Sequence, residues 1–207
     1  MILINFIYQV IKTNSINAMD IRGLLEKYKI TIDPNFILER WDEPHRFFHN
    51  ISFLDNLISS IKEDFGNGSI NENEKDKLIL TSLFHKLVFD PHRDDNEEKS
   101  AEIFYRFCGE KFNVDLVEVK QMILDVKTNI PCTPLSNKFL EYQYSICNEN
   151  FEHLLEWEKS VREEQYLIED VDYKRNRIKY LESCIEKYPM NIDNILDLIN
   201  WINSNYD

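Results

Sequence analysis

Glycine is scarce in this chain, with four in 207 residues. Turns with φ > 0 form most easily at glycine and sheet-rich proteins need many of them, so the scarcity argues against an extensive sheet. Basic residues are also few: 24 Lys and Arg stand against 37 Asp and Glu, a formal net charge of -13. That balance repels a phosphodiester backbone unless cations are gathered in one place, and it disfavours broad nucleic-acid binding. Four cysteines, Cys108, Cys132, Cys147 and Cys184, are scattered with no Cys-x-x-Cys spacing. They read as reduced thiols, and a cytoplasmic setting is expected. Gly-rich phosphate loops, Gly-x-Ser-x-Gly elbows, Cys–His nucleophile signatures and dinucleotide fingerprints do not occur, which sets those enzyme classes aside. The apolar opening, Met1 to Ile11, is too short to span a bilayer. With no basic residue before it and no small-residue cleavage pattern after it, it reads as a packed helix or strand rather than a targeting segment, and no membrane partner is expected.

What is present describes a globular, helical chain. Hydrophobic residues make up 43% and aromatics 13%, enough apolar surface to offset the entropy of ordering. The length suits one domain, 1–207. Helical spacing of apolar residues recurs throughout, so the class is all-α, a single-domain helical bundle. Asp33-Pro34 reads as an N-cap followed by Pro at the first helical position, Asp90-Pro91 as a stop, and Pro131 with Pro134 as a further break. From His45 to about Phe65, the positions Ile51, Leu54, Ile58, Ile61 and Phe65 lay one stripe along a helix carrying His45, Arg46 and His49 in its first turns. Gly66-Asn67-Gly68-Ser69 breaks it. The run Leu78 to Phe89 is apolar nearly all round, as in a helix at the centre of a bundle. Further helices are expected at about 95–108, 115–128, 135–146, 150–167, 172–187 and 191–204. Residues 141–170 hold nine acidic side chains against Lys159 and Arg162, a local net of -7. A solvated helix face explains that run better than an acidic docking surface.

Chemistry is sought where polar groups meet that buried run. Lys86 lies among Leu83, Phe84, Leu87 and Val88, where a charge is costly unless answered. Beside it, His85 reads as a hydrogen-bonded core histidine. His45 and His49, four apart, would share a helix face, as a metal pair requires, yet no His-Glu-x-x-His surrounds them. The loop Asp90 to Asp95 places His92 and Arg93 where a pocket mouth could be, and it leads into Asn96-Glu97-Glu98 at a helix start. Lys174, Arg175, Arg177 and Lys179 form the one locally basic stretch, read as a solvated face.

In combination, three stretches resemble the predicted metal-dependent HD-superfamily phosphohydrolases: Pro44 to Asn50, Leu83 to Asp90 and Asp95 to Ala101. Phe139 to Ile146, Val161 to Glu164 and Arg177 look like later motifs of the group, so the resemblance covers an HD-like core of about 36–190. It implies a helical bundle around a divalent metal, held by a histidine of the first motif, a His-Asp doublet and a late aspartate, with activated water attacking a phosphate ester. His49 and His85 fit the first two histidines, and Arg46, Arg162 and Arg177 match arginines suited to phosphate or to carboxylates.

The pattern then departs from the group. The doublet's aspartate is Lys86, and the histidine four residues after His49 is Phe53. An aspartate-x-aspartate is replaced by Glu141 and Gln143, and a threonine and histidine near 126–129 by Val126 and Asn129. An ammonium supplies no lone pair and adds positive charge where a metal would sit. Lys86 is therefore expected to pair with Glu141 or Glu97, an ion pair standing in for metal and ligands. The favoured expectation is a degenerate, non-catalytic HD-type domain with a relic pocket of His49, His85, Lys86, Glu97 and Glu141. It would need no cofactor and would bind a protein partner or a small phosphorylated ligand. One alternative is a divergent phosphohydrolase for a nucleotide or small phosphate ester, with His49, His85 and Glu141 around a divalent metal and Glu97 as general base. Another is an interaction module recognised through its acidic surface.

Overall fold

The structure, a computed structural model, describes residues 16, 18–109, 114–187 and 191–206. The apolar segment 1–11 lies outside them. Ten α-helices and one short 3-10 turn make up the regular structure of the described residues, and no strand occurs among them. In chain order these are α1 (Ala18–Tyr28), α2 (Pro34–Trp41), α3 (Ile51–Gly66), α4 (Glu72–Phe84), α5 (Asn96–Cys108), α6 (Val114–Thr128) and α7 (Pro134–Gln143). The 3-10 turn Ser145–Asn148 follows, then α8 (Phe151–Glu164), α9 (Asp170–Lys187) and α10 (Ile192–Asn205). None of the described helices is long and apolar enough to cross a membrane.

Local chemistry explains the starts. Asp33 accepts from the Asn35 N–H ahead of Pro34, and Thr133 accepts from Ser136 ahead of Pro134, both with Pro placed where its missing N–H does no harm. Asn71 and Glu74 form a reciprocal capping box at α4. Two helices end on left-handed residues that are not glycine, Lys29 (φ 57°) after α1 and Asn129 (φ 52°) after α6. Glycine at these positions would relieve a steric penalty.

Two apolar clusters fill the interior. The first gathers α1–α6 and the start of α7 around Trp41, Leu54, Ile61, Leu78, Leu83, Phe84, Phe104 and Phe139. The second gathers the end of α7 with α8–α10 around Leu140, Leu154, Trp157, Tyr173, Leu181, Leu198 and Ile202. Val126 packs against both.

Two expected boundaries move, and both bear on the site. The segment 42–50 is not helical, so α3 begins only at Ile51 and His45, Arg46 and His49 precede it. The cause is visible in the hydrogen bonds: Asn50 caps α3 by accepting from Ser52 and Phe53, while the N–H groups of Phe48 and His49 donate to the Glu164 carboxylate. The buried run also stops early. Helix α4 ends at Phe84 with His85 as its C-cap, so Lys86 to Asp90 form the turn beyond it, and Asp90-Pro91 is not the stop.

Candidate functional site

The site forms where the irregular segment 42–50 meets the end of α4, facing α8 and α9. Arg46 joins the first two. Its buried guanidinium donates to the carbonyls of Lys86 at 2.8 Å and Leu87 at 3.4 Å and pairs with Glu43 at 3.1 Å, between the rings of Trp41 and Phe89. Burial lowers its pKa while Glu43 opposes the shift. This arginine, expected as a phosphate ligand, is committed to backbone carbonyls that the ended helix leaves open. His45 is drawn to the same turn, its Nε2 lying 3.1 Å from the Phe89 carbonyl and its ring stacked on Phe89.

His85 is fully buried among Trp41, Phe53 and Phe139, at ring-centroid distances of 5.4, 6.3 and 5.3 Å. Its Nδ1–H donates to the carbonyls of Ser82 at 2.9 Å and Thr81 at 3.2 Å, and its Nε2 is buried without a partner. Burial, with Lys86 and His49 nearby, pushes its pKa well below the usual imidazole value, so the ring is held neutral. The expected hydrogen-bonded core histidine is thus found, at a helix end rather than mid-helix.

Lys86 pairs with Glu97 of α5 at 2.5 Å, with 15% and 10% of the two side chains exposed. Of the two partners expected for it, Glu97 is the one in place. Glu141 is exposed on α7 and accepts from Asn137 at 2.6 Å, so it belongs to neither the ion pair nor the pocket. The spacing on α7 is the reason: Phe139 and Leu140 face the cores, which turns Glu141 outward.

His49 is anchored from α8. Glu164 accepts from its Nδ1 at 2.8 Å as well as from the two backbone N–H groups, and both side chains are largely buried. Burial lowers the His49 pKa, with Lys86 and Arg46 adding to the shift and Glu164 opposing it. Burial pushes the Glu164 carboxyl up, but the neighbouring His49 ring and these hydrogen bonds outweigh it and hold the carboxyl below its ordinary value. Arg177 of α9 is fixed in the same manner, donating from Nε to the fully buried Glu158 at 2.6 Å and lying over the rings of Trp157 and Tyr180 at 4.1 and 5.1 Å. Its Nη2 is buried and unpartnered, as is Trp157 Nε1.

Three of these groups, His49, Lys86 and Arg177, line one cavity of about 250 Å³ together with Gln143, Gln165 and Asn176 and the aromatic rings of Phe48, Phe53, Tyr144, Trp157 and Tyr180, whereas His85 and Glu97 of the expected pocket do not line it. Of the six departures noted in the sequence, Phe53, Lys86, Val126 and Gln143 line the cavity, and Glu141 and Asn129 do not. The chain matches no family model, no curated protein and no solved structure. Function must be argued from this geometry.

A divalent ion does not fit these side chains. Among the described residues, no group of three or more His, Cys, Asp or Glu is placed to hold one. His85 is fully buried and does not line the cavity, Lys86 brings an ammonium, and Glu141 is elsewhere.

The remaining candidates separate cleanly. Arg162 is spent on Asp170 and the carbonyls of Gln165 and Ile168, tying α8 to α9. Arg93 forks onto Asp95 at 2.7 Å on the surface, and the His92 N–H donates to Asp90 in the same exposed loop, so neither reaches the cavity. Lys174 donates to the carbonyls of Asn203 and Tyr206, and Arg175 pairs with Asp172. Sequence reasoning took Glu158 and Glu164 for members of a solvated face, as the other seven acids of 141–170 are, yet these two are buried. A signal was there: they continue the stripe Leu154, Trp157, Val161 at steps of three and four.

Proposed function

We propose that this protein is a non-catalytic, HD-type helical domain that binds a small phosphorylated ligand. The observation carrying the reading is the convergence of His49, Phe53, Lys86, Val126 and Gln143 on one cavity beside Arg177. These are some of the positions that the resemblance assigns to the metal centre and to phosphate-binding arginines, while His85, Glu141, Arg46 and Arg162 do not line the cavity. Four of them hold residues that cannot ligate a divalent ion as the group's residues do, and the ion pair Lys86–Glu97 occupies the place of the doublet's acid. A scaffold outlives its chemistry when its site keeps the means to bind.

Those means are cations and unspent donors. Lys86 and Arg177 are each oriented by a buried or nearly buried carboxylate, so little side-chain freedom is lost when a ligand arrives. Arg177 spends only its Nε on Glu158 and lines the cavity, so its guanidinium keeps donors that a phosphate oxygen can take. A cavity of 250 Å³ lies below the roughly 300–1,000 Å³ of drug-sized sites, which restricts the ligand to a small one.

Isothermal titration with phenyl phosphate tests this. One saturable site is expected, weakened about tenfold or more in Arg177→Lys, which keeps the charge facing Glu158 but loses the guanidinium fork. Absence of binding by wild-type protein, or equal binding by a folded Arg177→Lys, overturns the reading. Release of phosphate from phenyl phosphate in the presence of Mn²⁺ would overturn its non-catalytic part alone.

A further inference from the structure

The His49–Glu164 contact fixes more than the position of a ring. Glu164 accepts three hydrogen bonds, from the N–H groups of Phe48 and His49 and from His49 Nδ1, so Nδ1 must carry the imidazole proton. In the neutral ring that leaves Nε2 as a bare lone pair, an acceptor and not a donor. Nε2 has no hydrogen-bond partner among the described residues, and unlike Arg177 Nη2 it is not sealed from solvent. His49 lines the cavity with 21% of its side chain exposed. The cavity therefore presents donors from Lys86 and Arg177 together with one acceptor from His49.

The charge balance points the same way. Lys86 is matched by Glu97 and Arg177 by Glu158, while Glu164 is matched by no full positive charge as long as His49 is neutral. A dianion would meet a lone pair and an uncompensated carboxylate behind it. A monoanion that carries its own proton meets neither difficulty.

Resting on the binding function proposed above, we infer that the cavity takes the ligand's phosphoryl group in its singly protonated form. Its P–OH donates to His49 Nε2, and its oxygens accept from Lys86 and Arg177. His49 is thereby the specificity-determining residue, and it selects phosphate monoesters over sulfate esters. A sulfate ester has the same shape and similar S–O geometry, but at neutral pH it has no proton to offer. It would bring an oxygen lone pair against Nε2 and leave that acceptor unsatisfied. The charged and titratable groups around the His49 ring are Glu164, Lys86, Arg46 and His85, with Arg177 and Tyr180 lining the same cavity, and none of them hydrogen-bonds to Nε2.

The test is paired calorimetric titration of the full chain with phenyl phosphate and phenyl sulfate at pH 6.0 and 7.5. Phenyl phosphate is expected to bind at least about tenfold more tightly than phenyl sulfate at pH 6.0, the ratio that one unmet buried hydrogen bond produces. Its affinity should fall by about tenfold per pH unit above the second ionisation of a phosphate monoester, near 6. His49→Gln, whose amide can donate as well as accept, is expected to bring the two ligands within about threefold of each other. Equal binding of both esters by wild-type protein, or discrimination unchanged in a folded His49→Gln, overturns the inference and leaves phosphate binding itself standing. Binding of neither ester overturns the parent reading and this inference together.

Discussion

Removing the ammonium of Lys86 is the sharpest perturbation of the site that leaves its shape nearly intact. In Lys86→Met the chain length is kept, but Glu97 loses its 2.5 Å partner with only 10% of its side chain exposed. Breaking a buried ion pair from one side costs about 3–5 kcal/mol, and the residual exposure of both groups places this pair near the lower end, about 3 kcal/mol. For a chain of this size each kcal/mol moves Tm by about 2–4 °C, so a fall of about 6–12 °C is expected. The double variant Lys86→Met/Glu97→Leu removes both charges and should recover most of the loss, because apolar replacement of a whole buried pair is close to neutral. Urea denaturation of wild-type, both single variants and the double variant completes a cycle with a coupling energy of about 2 kcal/mol or more. Additive effects, or a Lys86→Met protein that melts with the wild type, would refute the claim that Lys86 and Glu97 form a coupled, nearly buried ion pair.

Three further outcomes are expected. His85 and His49 both resist protonation in the fold, so their stability contribution is full above the unfolded imidazole value of about 6.5 and is lost as pH falls toward their lower folded values. Urea midpoints should therefore drop between pH 7 and 5, and His85→Phe should flatten that slope. Lys29 is exposed in the left-handed region after α1, so Lys29→Gly should raise stability by about 0.5–1 kcal/mol in the same assay rather than lower it. Glu141→Ala touches an exposed contact with Asn137 only, and should change stability by less than about 0.5 kcal/mol and leave phenyl phosphate binding unaltered.

Much of this was legible in the residues. The all-helical class and the six later helices follow from apolar spacing, and each of the six starts within about two residues of its expected position, with Thr133-Pro134 and Asn150 capping two of them. Glu97 was foreseen as a partner for Lys86 because a charge in an apolar run demands an answer. The same rule, applied to Glu158 and Glu164, would have found the carboxylates that hold Arg177 and His49. Their acidic neighbours obscured the stripe on which they stand. The helix boundaries around the site were misread for a related reason. Side chains distant in sequence, Glu164 and Arg46, satisfy backbone groups at 48–49 and 86–87, and local periodicity carries no trace of bonds across 40 or 115 positions. The single domain expected from length holds two apolar clusters, and the cavity lies where residues of both meet.

The central claim is that Lys86 and Glu97 stand where a metal and its ligands would otherwise be. Elemental analysis of protein purified without chelator, repeated after incubation with Mn²⁺, Mg²⁺, Ni²⁺ and Fe²⁺, addresses it most directly. The account predicts metal at background level in every sample, whereas about one tightly held equivalent of any of these ions would contradict it.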